Sequence, residues 1–168
     1  MSNYIKLIIF IVVLLLISVA VVYIDSSVEN INQSMPQISD SIHQGDIDYN
    51  ESVELLNERS FDEASQKAQS AGDNYNNSLN KLSRIKEKYN KDLHEVHKNY
   101  IDTTRKELEY KLKAVEELKE SIYYLGMYYN YTGSTHGTEA NDLMADAVRI
   151  QNERNEIISE NPNLFTIT

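Results

Sequence analysis

The chain has no cysteine and no tryptophan, only 2 prolines and 5 glycines in 168 residues, and 16 basic against 26 acidic side chains. Each scarcity excludes something. Without cysteine there is no disulfide to staple a domain in an oxidising compartment, no thiolate nucleophile or metal ligand, and no residue for a lipoprotein anchor. So few prolines and glycines leave little punctuation for the turns of a sheet protein, which favours a small number of long helices. A net charge of −10 disfavours nucleic acid and anionic lipid surfaces, both of which reward clustered Lys and Arg. No Gly-rich phosphate loop or Ser-centred elbow is present. The sequence names no catalytic residue, no metal site and no cofactor, and the expectation is that the protein is not an enzyme.

What is present is, first, an apolar run from Tyr4 to Ile24 (YIKLIIFIVVLLLISVAVVYI), about the 20 residues a helix needs to cross a bilayer. Only Lys6 interrupts it, close enough to the start for its ammonium to reach the headgroups. Lys6 and the amino terminus precede the run, Asp25 and Glu29 follow it, and the next basic residue is Arg59. That bias predicts a cytoplasmic N-terminus and an extracytoplasmic body in a single-pass cell-membrane protein. Ser18-Val19-Ala20 offers a rival reading as the cleavage site of a secretory signal, but Val21 to Ile24 carry the run past it to spanning length. The expected organisation is an anchor over 1–24, a helical stalk over 25–44, an acidic helical-bundle domain over 45–160 and a tail over 161–168.

After the anchor, Val28, Ile31, Met35, Ile38 and Ile42 step by three and four, the seam of a helix, with Pro36 expected to kink it. His43-Gln44-Gly45-Asp46 reads as a turn, with Asp46 or Asp48 capping a short helix whose face is Tyr49, Val53 and Leu56. Ser60-Phe61-Asp62-Glu63 has the form of a capping box, so a helix should begin at Phe61 and present Ala64, Ala68, Ala71 and Tyr75. From Tyr75 to about Leu125 the apolar positions Leu79, Leu82, Tyr89, Leu93, Val96, Tyr100, Thr104, Leu108, Leu112, Val115, Ile122 and Leu125 predict one long amphipathic helix, heptad-like at both ends. Lys86 and Lys119 interrupt its seam. Tyr123 to Gly137 should end it, with Gly133 and Gly137 as breakers. Thr138 then caps a last helix with Leu143, Ala147, Ile150 and Ile157 on its face, folded back antiparallel and stopped by Pro162. A frayed tail is expected from Asn163. The fold class is therefore all-α: an N-terminal transmembrane helix followed by an elongated antiparallel helical bundle with a coiled-coil-like long helix.

Candidate sites are few. His94 and His97, three apart on a helix, could contribute two metal ligands, but a zinc centre needs a third and usually a fourth, so the pair reads as solvated helix histidines. Tyr124, Tyr128 and Tyr131 fall at core-facing spacing, whereas Tyr123 and Tyr129 should be exposed and could serve recognition. Asn32, Asn50, Asn76 and Asn130 begin N-x-S/T sequons, which matter only if the body is extracytoplasmic. Pairs such as Lys106-Glu107, Glu116-Glu117 and Lys119-Glu120 look like solvated helix surface.

The stretch Ser60 to Ala71 (SFDEASQKAQSA) resembles the second helix of a tetratricopeptide repeat, with Phe61, Ala64 and Ala71 at the family's aromatic and two alanine positions and Tyr49 to Asn57 as the first helix. The closing proline is missing, and one period later the matching positions hold Glu95 and Lys98. The resemblance covers about one repeat and implies a helical hairpin with small-residue packing and, more faintly, peptide binding. The functional expectation is a structural, tethering or protein-interaction role: membrane contact through residues 4–24, and a homo-oligomer or protein partner engaged through the long helix. The alternative is a sensory or small-ligand-binding bundle.

Overall fold

A computed structural model describes residues 22–24 and 29–167. Four helices dominate: α1 (Glu29–Asn57), α2 (Phe61–Tyr89), α3 (Glu95–Gly126) and α4 (Asn130–Glu160). A short strand β1 (Val22–Ile24) precedes them, and a 3-10 turn over Pro162–Leu164 leads into a second strand, β2 (Phe165–Ile167). The all-α reading holds, with this two-stranded ribbon added.

Successive helices run antiparallel. Ser52 at the end of α1 donates to the Ala64 carbonyl of α2, Lys86 late in α2 pairs with Asp102 early in α3, and Ser121 late in α3 donates to the Gly133 carbonyl of α4. The α1–α2 and α3–α4 turns meet at one end of the bundle, where Phe61 packs against Gly126. At the other end lie the α2–α3 turn and the ribbon. Helices of this length make the bundle about 45 Å long.

Each helix buries one stripe. In α2 the buried positions Ala64, Ala68, Ala71, Tyr75, Ser78, Leu82 and Ile85 alternate steps of four and three. In α4, Gly133, Gly137, Ala140, Met144, Ala147 and Ile150 do nearly the same. Small residues at the start of that stripe let α4 lie close on α3, and a Cβ on Gly133 would fall 2.5 Å from Leu125 Cγ. The two glycines expected to break a helix are instead buried within α4, Gly133 at the close approach to Leu125, so α4 begins at Asn130 rather than Thr138.

Three further expectations change. The predicted long helix is two: a turn over residues 90–94 separates α2 from α3, closed by Asp92 and Leu93 amides donating to the Tyr89 carbonyl and by His94 Nδ1 accepting from the Val96 amide at 3.2 Å. Leu93 plugs into the core from within the turn, so the apolar spacing never falters there. Second, α1 is continuous through Pro36 and Gly45. Ile31, Met35, Ile38 and Ile42 of the expected stalk are buried in the same core as Tyr49, Val53 and Leu56. Gly45 forms no turn; its bare Cα is what the Tyr75 ring lies on, and a Cβ there would meet Tyr75 Cε1 at 2.6 Å. Third, the tail is anchored. Phe165 is buried between His97 and Tyr100, with ring centroids 5.3 and 5.4 Å away, and Val22, Tyr23 and Ile24 pair antiparallel with Ile167, Thr166 and Phe165.

The expected membrane span lies outside the described residues except at its last three positions, which form β1 rather than the end of a helix. Among the described residues no helix is long and apolar enough to cross a membrane. Phe61 does start α2 as expected, but Ser60 makes no side-chain cap hydrogen bond, so the capping-box signal marks the boundary without its bond.

Candidate functional site

The centre of the bundle holds an ion network to which all four helices contribute. Lys111 Nζ of α3 lies 2.7 Å from Asp46 Oδ1 of α1 and 3.0 Å from Glu107 Oε1, one turn back on its own helix. Arg154 of α4 reaches the other Glu107 oxygen at 2.9 Å. Tyr75 of α2 donates to Asp46 at 2.7 Å, and its ring stands 5.4 Å from the ammonium. Glu107 and Lys111 are 0 % exposed and Arg154 2 %. Two carboxylates and two cations cancel, which is how such charges survive burial.

Burial pulls the Lys111 ammonium down, but Glu107 and Asp46 more than offset it and hold its pKa above the ordinary value. Arg154 is raised by the same balance, chiefly through Glu107. Burial, and then the Asp46 carboxylate, push the Tyr75 phenol well above its usual range, and burial alone does so for Tyr49. Lys111 and Tyr75 are hydrogen-bonded to Asp46, whereas Glu107 and Arg154 meet at ion-pair distance, with both Glu107 oxygens and Arg154 Nε and Nη1 outside hydrogen-bond geometry; none of these groups faces solvent. The network ties α1, α2, α3 and α4 to one another at the centre of the bundle. The sequence reading placed Glu107 on a solvated surface and expected Asp46 to cap a helix; both are core residues. Thr104, Glu107, Lys111 and Ala114 continue the three-and-four stripe of α3, which was the available signal.

A second polar cluster lies nearer the surface. Asp48 accepts from Lys67 at 3.2 Å, Ser70 at 2.7 Å and Asn74 at 3.2 Å, tying α1 to α2. It too is spent on structure rather than on capping.

The two histidines singled out in the sequence part company. His94 is an exposed N-cap, whereas His97 is 1 % exposed, bonds the Leu164 carbonyl at 2.9 Å and packs edge-on against Phe165. His97 is thus a clasp for the C-terminal segment, not a solvated helix residue.

The opposite end of the molecule is chemically unlike the middle. Among the described residues the exposed large apolar side chains are Tyr123, Met127, Tyr128, Tyr129 and Tyr131, all at the α3–α4 turn. Tyr128 is 80 % and Tyr131 88 % exposed, against the expectation that both face the core. The helical spacing that put them inside does not cross the turn: α3 ends at Gly126, and Tyr128 takes a left-handed φ of 64°. Tyr123 and Tyr129 are exposed as expected, and Tyr124 is half-buried. Its ring stacks on His136 at 5.4 Å and 5°, and stands edge-on to Tyr123 and Tyr129. Exposed Glu58, Arg59, Asp62, Glu63 and Glu120 lie at the same end of the bundle, four acidic side chains to one basic.

Just below the aromatic end, Glu117 of α3 and His136 and Glu139 of α4 bring one ligand-type atom each to within 4.8 Å of one another. His136 Nδ1 lies 2.6 Å from Glu117 Oε2. The sequence reading missed His136 because it fell in a segment taken for a turn; once α4 starts at Asn130, His136-x-x-Glu139 occupies one helical face.

Compared with protein-family models, with curated proteins and with solved structures, the chain matches none. The tetratricopeptide resemblance thus rests on its own few residues. The segments that carry it are antiparallel neighbours in α1 and α2, but as parts of helices of 29 residues each.

Proposed function

We propose that this protein is a membrane-anchored extracytoplasmic spacer that presents an aromatic tip to a protein partner. The observation that carries the reading is the concentration of exposed apolar side chains between Tyr123 and Tyr131, at the end of the bundle farthest from the chain's N-terminal segment. Large exposed tyrosines with polar neighbours are what interfaces favour: wide contact area, few rotors to freeze and a hydroxyl that tolerates water. An acidic rim selects a partner carrying basic as well as apolar residues.

The anchor in this reading is residues 4–21. With β1 removed from the apolar run about 18 residues remain, still within spanning length. The ribbon would then sit at the membrane boundary and hold the bundle base against it, with the tip about 45 Å away. Self-association along the Leu79 to Leu125 seam has less support, because Leu82, Leu93, Tyr100, Leu108, Val115 and Ile122 are already buried by the chain's own helices. A small-ligand sensor has less support for a related reason: the charged groups at the centre are buried and lie against each other at ion-pair distance, with no exposed face for a ligand.

The test is site-specific photocrosslinking in native membranes, with the reactive residue at Tyr128 or, as a control at the opposite end, at Lys91. The reading expects one discrete adduct from position 128, absent from position 91, lost in a Tyr129→Ser/Tyr131→Ser background and weakened by salt. Indistinguishable adducts from both positions, or none from 128, would overturn it.

A further inference from the structure

We propose that Glu117, His136 and Glu139 form a binding site for a divalent first-row transition-metal ion, which clasps α3 to α4 beneath the aromatic tip. The site does not depend on the tip having a partner. Two helices supply its ligands: Glu117 from α3, and His136 with Glu139 one turn apart on α4. All three ligand atoms lie within 4.8 Å of one another. Bonds of about 2.0 to 2.1 Å in a tetrahedral shell put ligand atoms about 3.3 Å apart. Closing the set around an ion therefore needs side-chain rotation and no movement of the helices.

The imidazole is already oriented. Its ring lies parallel to Tyr124, 5.4 Å between centroids and 5° between planes, which sets the plane of the imidazole. Its Nδ1 faces Glu117 Oε2 at 2.6 Å. An ion entering here takes the place of the shared proton, and the two atoms move apart by roughly 0.7 Å to reach tetrahedral spacing. One imidazole with two carboxylates suits zinc, iron, cobalt or nickel better than magnesium or calcium, which prefer all-oxygen shells. Three protein ligands leave a position for water or for a group brought by another molecule. Thr135, Thr138 and Asp142 line the open side of α4 beside Glu139. Because Tyr124 stacks on the ligand and touches Tyr123 and Tyr129, occupancy would also stiffen the aromatic tip.

The competing account is a plain Glu117–His136 ion pair, in which Glu139 has no part. Untagged full-length protein in detergent, stripped with chelator, would be titrated with zinc by calorimetry in excess magnesium. The site predicts one saturable equivalent, weakened at least tenfold by His136→Ala and by Glu139→Gln with helicity unchanged. Cobalt should give a visible absorption band that His136→Ala removes. Should His136→Ala fail to fold, the exposed Glu139→Gln alone decides. No saturable equivalent in the unaltered protein, or binding unaffected by Glu139→Gln, would overturn the site and leave the ion pair.

Discussion

The middle of this bundle and its tip invert the usual distribution of side chains. At the middle, Asp46, Glu107, Lys111 and Arg154 are charged and buried; at the tip, Tyr128, Tyr129 and Tyr131 are aromatic and exposed. Both arrangements cost stability. A buried ion network is often no more stable than a well-packed apolar one; what it adds is a constraint, since its ion pairs form only where the helices bring Asp46, Glu107, Lys111 and Arg154 together. Exposed tyrosines contribute little to folding, which is why the proposed recognition role is placed there. The middle therefore constrains how the four helices meet, and the tip is where the proposed contact surface lies.

The largest expected effect comes from breaking the network. Glu107→Ala removes the carboxylate paired with Arg154 in the core and leaves Lys111 with Asp46 alone, and should cost about 3–5 kcal/mol, read as a lower denaturant midpoint. Tyr131→Ser at the tip should fall within about 0.5 kcal/mol of the parent. Comparable losses at the two positions would remove the distinction between them.

Next comes packing. Gly133→Ala drives a Cβ to 2.5 Å from Leu125 Cγ and 3.0 Å from the Leu125 backbone nitrogen, and should cost about 1–3 kcal/mol by overpacking. The loss should be smaller in a Leu125→Ala background, where the side chain in the way has gone. Equal losses in the two backgrounds would show that the close approach is not the cause.

Raised pKa values in the middle imply an alkaline limit. Lys111, Tyr75, Tyr49 and Tyr100 all hold their protons more tightly folded than unfolded. Above about pH 10 the unfolded chain releases protons that the native chain keeps, so the slope of stability with pH is negative there. The contribution is fully present below that pH and is lost as pH climbs toward the folded values. Chemical denaturation from pH 7 to 11 should show a plateau and then a fall, shallower in Tyr75→Phe. A fall beginning near pH 8 would point to other groups.

Much of the fold was legible because periodicity reports which face is buried. Ala64, Ala68, Ala71 and Tyr75 in α2 and Ala147 and Ile150 in α4 sit where their spacing put them. Boundaries were harder. Residues 90–94 turn without glycine or proline while Leu93 keeps the apolar spacing, so the break is silent. Gly133 carries the opposite ambiguity, since the missing Cβ that frees a backbone also lets helices touch. The buried charges were hidden because Glu107 and Lys111 are an i, i+4 pair of the kind that also decorates solvated helices. The Glu117, His136 and Glu139 cluster could not appear until α4 had its true start, because the segment holding His136 reads as a turn and Glu117 lies on another helix.

The smallest effect sharpens the comparison most. Both turns at the tip end place a non-glycine residue in the left-handed region, Arg59 and Tyr128, each at φ 64°. A side chain there carries a cost of roughly 1 kcal/mol that glycine avoids, partly offset by the greater freedom glycine has unfolded. Arg59→Gly and Tyr128→Gly should therefore each stabilise the bundle by about 0.5 kcal/mol, a rise of a degree or two in Tm. Only Tyr128→Gly should also abolish the adduct expected from a crosslinker at Tyr131. If the glycine at 128 stabilises the fold while removing the contact, the tyrosine is kept there at the expense of stability, as a residue retained for recognition would be.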